Sequence, residues 1–329
     1  TINTNVIKKY KCNMEGSMKE DIYIKIAYWY HILGMTQDEI AKRLSFTRQK
    51  VNQIINSLAD LGIVNISIQG YERDNIELEC TLENKFGLRQ AIVASDYGER
   101  DTVIYKVANV AAQYLNDKIQ QGDIIGVSWG RTLAEVVNQM VYHKRNECRV
   151  VQLMGAQNIE QKVEKSDEIA RNLANKLDCP SYMLYAPVVV EHENTKQMLM
   201  KERSIQVSFE LMTKCNIAVL GVGELTEKST MCTRGHITKE DIKILRKEGF
   251  VGDIAMNPIR KDGSWDNCPL TDRLLNASVE NLRGIGNVIL VACGDEKVEA
   301  IQAALRTKSI DTLITDETTA RNVIFASAS

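Results

Sequence analysis

From residue 91 onward, short apolar and β-branched runs recur with helical segments between most of them: AIVA (91–94), IIGVS (124–128), VVQLM (150–154), YMLYA (182–186), IAVLGV (217–222), VILVA (288–292) and TLIT (312–315). A strand with one wet face alternates apolar and polar residues. Several of these runs are apolar throughout, as strands are when helices cover both faces of the sheet. The helical spacers imply right-handed βαβ crossovers, and so an α/β, doubly wound parallel sheet. A chain of 329 residues exceeds what one core usually supports, so a second, smaller domain is expected before this one.

Residues 18–68 read as that smaller domain. Ile22, Ile26, Trp29 and Leu33, with Tyr30 beside them, mark one face of a helix over 19–33 that Gly34 stops. Thr36, with Glu39 three positions on, has the capping-box spacing for a short second helix whose inner face is Ile40, Ala41 and Leu44. SFT (45–47) is a turn, and its Thr47 caps a third helix that runs to Leu61, with Gly62 at C′. IVNISI (63–68) reads as a strand. Three helices with a three-residue turn between the second and third form the helix-turn-helix layout, although a generic three-helix unit has the same period.

The third helix tips that balance. In RQKVNQIINSL (48–58), Val51, Ile54, Ile55 and Leu58 face the core, and the opposite side carries Arg48, Gln49, Asn52, Gln53 and Asn56 with no carboxylate until Asp60. Arg donates twice to guanine, and Asn or Gln both donates to and accepts from adenine. Arg48, Gln49, Asn52 and Gln53 are expected to read bases, with Asn56 too far along to reach. Thr36, Gln37, Thr47 and Lys50 stand at helix starts, where N–H groups and side chains can hold phosphate. The whole chain, with 41 basic and 43 acidic residues, lacks the charge for a cationic coat. Over 35–56, however, Lys42, Arg43, Arg48 and Lys50 outnumber Asp38 and Glu39.

The remaining features bound the problem. Residues 1–17 read as a tail with order beginning near Met18, 69–90 as a polar linker, and 91–329 as the large domain. The eight cysteines are scattered without a CxxC pair, as reduced and mostly buried thiols are. No apolar run is long enough to span a membrane, and no signal-peptide core opens the chain, so a cytoplasmic protein is expected. GVGELTE lacks the third glycine of a dinucleotide fingerprint. Cys232 and His236 have no second pair to complete a metal site. His31, His143 and His192 have no local partner for nucleophilic catalysis. No metal, cofactor or catalytic set is expected.

The spacing of MTQDEIAKRLSFTRQKVNQIINSLADLGIVNI resembles the N-terminal module of the SorC family of bacterial transcriptional regulators, which includes DeoR-type members. GVSWGRTLAEVV (126–137), VQLMGA (151–156), LGVGE (220–224), VGDI (251–254) and VILVACGDEKVEAIQAALRTKSIDTLITDETTA (288–320) are similar, in order, to stretches of that family's sugar-binding domain. Together they cover the chain from about residue 20 to its end. The resemblance implies a large domain of the sugar-phosphate isomerase and deaminase type, and a homodimer or homotetramer that binds a palindromic operator under control of a phosphorylated sugar.

Read by itself, IIGVSWGRTLAEVV is a strand, a turn and a helix start, where N–H groups and the helix dipole favour an anion. By resemblance this loop, Ser128, Trp129, Gly130, Arg131 and Thr132, cradles the phosphate. Lys297 contacts the same phosphate, Asp253 holds sugar hydroxyls, and Gln157 is a weaker hydroxyl contact. AMNPIRKDG replaces the aromatic-rich stretch that the family commonly has after VGDI. The competing class is a sugar-phosphate isomerase or deaminase on the same fold, with Asp253 or Glu224 as base, but such an enzyme has no use for the first 65 residues. A protein-interaction adaptor would show no salt-dependent affinity for DNA.

Overall fold

The computed structural model describes residues 21–64, 73–95, 100–156 and 166–325. The expected tail, the order boundary near Met18, Gln157 and most of the 63–68 strand lie outside these residues. The chain divides into two compact units, Thr1–Tyr71 and Glu72–Ser329.

In the first unit, helix α1 spans 21–31, α2 Gln37–Leu44 and α3 Arg48–Ser57. Thr36 and Glu39 form the reciprocal capping box, Ser45 is left-handed at the end of α2, and the Thr47 hydroxyl accepts the Lys50 N–H. Ile26, Ala27, Ile40, Ala41, Val51, Ile54 and Leu58 make the core. Two expectations are corrected. Leu33 follows the end of α1 and is exposed. Helix α3 ends at Ser57 rather than Leu61, because Leu58 and Gly62 turn back with i→i−3 bonds to Ile55 and Ala59; the left-handed Gly62 still closes the turn.

In the second unit seven parallel strands lie in the order β1-β10-β9-β5-β2-β3-β4: β1 Gln90–Ala94, β2 Ile124–Val127, β3 Arg149–Gln152, β4 Ser181–Tyr182, β5 Ile217–Leu220, β9 Asn287–Val291 and β10 Thr312–Asp316. Their alternate residues enter two different cores. Ala218, Leu220, Val288, Leu290 and Leu313 face one side with helices α4 (Arg73–Phe86), α9 (Arg203–Met212), α13 (Val298–Arg306) and α14 (Glu317–Phe325). Ile217, Val219, Ile289, Val291 and Ile314 face the other, with α5 (Arg100–Lys118), α6 (Arg131–Gln139) and α7 (Ser166–Leu177). This two-sided burial is why the runs are continuously apolar.

The structure departs from expectation in three places. Residues 73–86, inside the expected linker, form α4, whose Leu78, Leu82 and Phe86 are buried against the sheet. Edge strand β1 has N–H groups that no further strand takes, and α4 accepts them: Glu83 Oε1 from Ala91 at 2.9 Å and Glu79 Oε1 from Val93 at 2.8 Å, while Asn75 donates to the Val93 carbonyl. The polar residues that suggested a linker are thus partly this edge cover. Next, the 182–186 strand is only Ser181–Tyr182, and Val222 leaves the main sheet. It starts a second, antiparallel sheet of β6 (Val222–Glu224), β7 (Phe250–Ile254) and β8 (Asn257–Arg260), packed on a third core around Phe250, Met231 and Leu245.

Candidate functional site

In the first unit the polar side of α3 is exposed along its length: Arg48, Gln49, Lys50, Asn52, Gln53 and Asn56. Thr36 and Thr47 engage their hydroxyls in caps, and the Glu39 carboxylate accepts both the Thr36 N–H and its hydroxyl, which holds that acid below its usual pKa. Gln37 reaches across to α3, its Nε2 donating to Asn52 Oδ1 at 3.0 Å. Arg48 Nη1 lies 3.9 Å from Asp38 Oδ2, an exposed pair of little energetic weight. The Lys50 ammonium sits 5.3 Å from the Phe46 ring centroid. Arg43 is 4.8 Å from the ring centroid of Trp29.

In the second unit the ends of β2, β5 and β9 open into a cavity of about 440 Å³. β2 is where the order reverses: β3 and β4 extend from it on one side, β5 and β9 on the other. Ligand sites of open α/β sheets lie outside the strands' carboxyl ends at such a reversal. One wall is Trp129, Gly130, Arg131 and Thr132, where Gly130 at φ 137° caps α6 and the first helical N–H groups have no partner within the helix. The opposite walls carry Asp253 of β7 and Lys297, at the start of α13.

Ser128 does not line the cavity. It is buried behind it, its hydroxyl accepting the Gly221 N–H at 3.2 Å and tying β2 to the turn between β5 and β6.

Asp253 is the most perturbed acid of the site. It is 5% exposed, its Oδ2 accepts the Met256 N–H at 3.0 Å, and a Cβ on Gly223 would stand 2.1 Å from its Oδ1. Burial pushes its pKa up to about 6, against the opposing pull of the Met256 N–H and of the Lys297 charge. At neutral pH it is therefore an ionised carboxylate held at a cost, and hydrogen-bond donors lower that cost.

The cavity also gathers two groups that no sequence motif marked, Lys228 and Arg234, together with Glu224, all from the segment after β5. Arg234 lies 5.3 Å from the Trp129 ring centroid, and His236 packs on the same indole with centroids 4.4 Å apart. Burial, then the Arg234 charge, lowers the His236 pKa to about 4, so that ring is neutral at physiological pH. Trp129 packs against two cores, that of the α5–α7 face and that of the small sheet. With cations and carboxylates interleaved, the cavity suits a ligand with an anionic group and several hydroxyls. No group of three or more His, Cys, Asp or Glu residues suited to a metal occurs among the described residues.

Residues 72–325 match the family described as "Putative sugar-binding domain". Over 307 residues the chain is 28% identical to the erythritol catabolism regulatory protein EryD of Brucella abortus, covering 93% of this chain and 96% of that one. Over the same length it is 29% identical to the deoxyribonucleoside regulator of Bacillus subtilis, covering 93% and 98%. The fold matches the crystal structure of the full-length sorbitol operon regulator SorC of Klebsiella pneumoniae, with a TM-score of 0.73 at 24% identity over 93% of this chain and 99% of that one. No described helix is long and apolar enough to cross a membrane.

Proposed function

We propose, from the premise that this chain belongs to the sugar-binding family of SorC-type transcriptional regulators, that it is a DNA-binding regulator of carbohydrate genes whose operator affinity is set by a phosphorylated sugar. The observation that carries this reading is the cavity, where the start of α6, Arg131 and Lys297 offer a seat for phosphate and Asp253 an acceptor for hydroxyls. The relatives named for erythritol and deoxyribonucleosides point to small polyhydroxylated ligands. Control follows from linkage: the ligand changes DNA affinity by the ratio of its affinities for the two conformations, and DNA acts back on the ligand equally. A homodimer or homotetramer on a palindromic operator in the cytoplasm fits this role, because two half-sites held together bind with avidity.

A panel of aldose and ketose phosphates tests the ligand. At a hundredfold excess over its Kd the right one adds about 2.7 kcal/mol of stability, a rise in Tm of roughly 5–10 °C for a unit of this size. The unphosphorylated sugar should give much less, and Thr132→Val or Lys297→Ala should remove most of the shift. Steady turnover of any member of the panel would instead make the protein an isomerase or deaminase.

On the DNA side, Arg48→Ala should cost about 1–3 kcal/mol on the specific site and relax base preference, whereas Lys50→Ala should weaken binding evenly across sequences. Titrations on specific and random duplexes separate the two. Equal losses on both duplexes for both variants would remove Arg48 from base reading.

A further inference from the structure

We infer that Gln37 and Asn52 form one reading unit, in which Gln37 sets the orientation of the Asn52 amide and thereby the base that α3 selects. The inference rests on the DNA-binding reading above and adds a positioning residue to it.

Gln37 is the first residue of α2, and Asn52 stands in the middle of the exposed face of α3. They are 15 residues apart in sequence and joined side chain to side chain, with Gln37 Nε2 donating to Asn52 Oδ1 at 3.0 Å. An amide has two unlike ends, and turning it over exchanges a donor for an acceptor. A free Asn side chain therefore presents either end. With its oxygen drawn toward Gln37, Asn52 offers its NH₂ outward on the other side, while the second lone pair of Oδ1 stays available. That is the arrangement for a bidentate contact to adenine, donating to N7 and accepting from N6.

In water such an exposed bond contributes little, because water competes for both partners. In the major groove water is displaced, the local dielectric falls, and a pre-set bond between two reading groups strengthens. The neighbouring link differs in kind. Arg48 and Asp38, also joining α3 to the start of α2, are separated by 3.9 Å with both side chains more than half exposed. A guanidinium has only donors, so that pairing cannot invert what Arg48 shows to a base.

The geometry makes Gln37→Glu the informative change. Glu has no donor, so it can meet Asn52 only by accepting from the Asn52 NH₂, which turns the amide over and puts Oδ1 outward. Preference at the base contacted by Asn52 should then move from adenine toward a base that presents a donor, such as cytosine through N4. Gln37→Ala should blunt the adenine preference at that same position, by about fivefold or more, without creating a new one. Asn52→Ala should blunt it equally, and adding Gln37→Ala to Asn52→Ala should change nothing further at that position.

The test is selection from a randomised duplex library by the full-length wild type and the variants, each first checked for an unchanged melting profile. Wild type selecting a palindrome, with Gln37→Ala and Asn52→Ala altering one and the same position per half-site and Gln37→Glu re-specifying it, supports the inference. Changes at different positions, independent and additive losses, or a Gln37→Glu protein with wild-type preference would overturn it while leaving DNA recognition standing. Failure of the wild type to select any sequence would overturn the parent reading, and this inference with it.

Discussion

Asp253→Asn is expected to raise the stability of the unliganded protein while weakening its affinity for effector tenfold or more. The acid is buried, with one oxygen against Gly223 and the other on the Met256 N–H, and its pKa in the fold is about 6 against an ordinary 3.8. The folded state therefore holds a proton that the unfolded state has released between those two values. The carboxylate's cost is fully present above about pH 6 and disappears as pH falls toward 4. That difference corresponds to roughly 3 kcal/mol at pH 7, or a Tm gain of about 6–12 °C for an amide that still accepts from Met256. The difference in Tm between variant and wild type should shrink as pH is lowered from 7 to 4, which isolates Asp253 from every group the two proteins share. For the effector the sign reverses. On the proposed reading sugar hydroxyls donate to the ionised form, so wild-type affinity should weaken below about pH 6, and the variant should bind tenfold or more weakly at neutral pH. A variant that is less stable than wild type at pH 7, or that keeps its effector affinity, would show that the acid is structural.

The same residue illustrates what the sequence could disclose. Asp253 and Lys297 were singled out by resemblance to family stretches, and the fold does bring them to one cavity with the start of α6. Arg234 and Lys228 were not, although they line the same space. They lie in KSTMCTRGH, about 100 residues from the 126–132 loop, in a segment with no helical or alternating period, and only the turn after β5 carries them to the site. Ser128 shows the opposite case. A hydroxyl in a strand-turn-helix suggests an anion ligand, but here it is buried and accepts the Gly221 N–H, tying the end of β2 to the turn after β5. The small sheet carries no such pattern to mark it. VGDI and NPIR are short, and β7 carries Gly and Asp because α13 and Gly223 press on it, which erases the apolar pattern.

Capping and periodicity were read most directly where interactions are local. The Thr36–Glu39 box, the Thr47 cap and the faces of α2 and α3 depend on neighbours three or four residues away, and each stands in the structure as the spacing indicated. Helix α4 depends instead on a strand edge. Its Asn75, Glu79 and Glu83 recur every four residues, a spacing that looks like a solvated face until β1 is placed beside it. Burial there pushes the Glu79 pKa up, with the Glu83 charge adding to the rise. The apparent linker is thus an edge cover.

Gly252→Ala should be among the most damaging single-methyl additions in the large unit. Gly252 sits in β7, and a Cβ there would stand 2.5 Å from the Cβ of Ala300, 3.0 Å from its Cα and 2.9 Å from the Gly223 carbonyl oxygen. None of these is the end of a flexible side chain. Relief requires α13 to lift from the small sheet or β6 to separate from β7, so the cost should fall at the upper end of the usual overpacking range, about 3 kcal/mol. For a unit of this size that is a fall in Tm of roughly 6–12 °C. Lys297 immediately precedes α13 and Asp253 immediately follows Gly252, so the same displacement would shift these two cavity-lining groups relative to each other. The effector-induced Tm shift should therefore shrink along with the baseline. Two comparisons control the result. Gly286→Ala meets only the Asn216 carbonyl at 3.4 Å and should be nearly neutral; the nearest atoms to a Cβ on Gly126 belong to the Leu153 side chain rather than to backbone, so Gly126→Ala should fall between. If Gly252→Ala melted with Gly286→Ala, the close approach of α13 would not be what holds the site together.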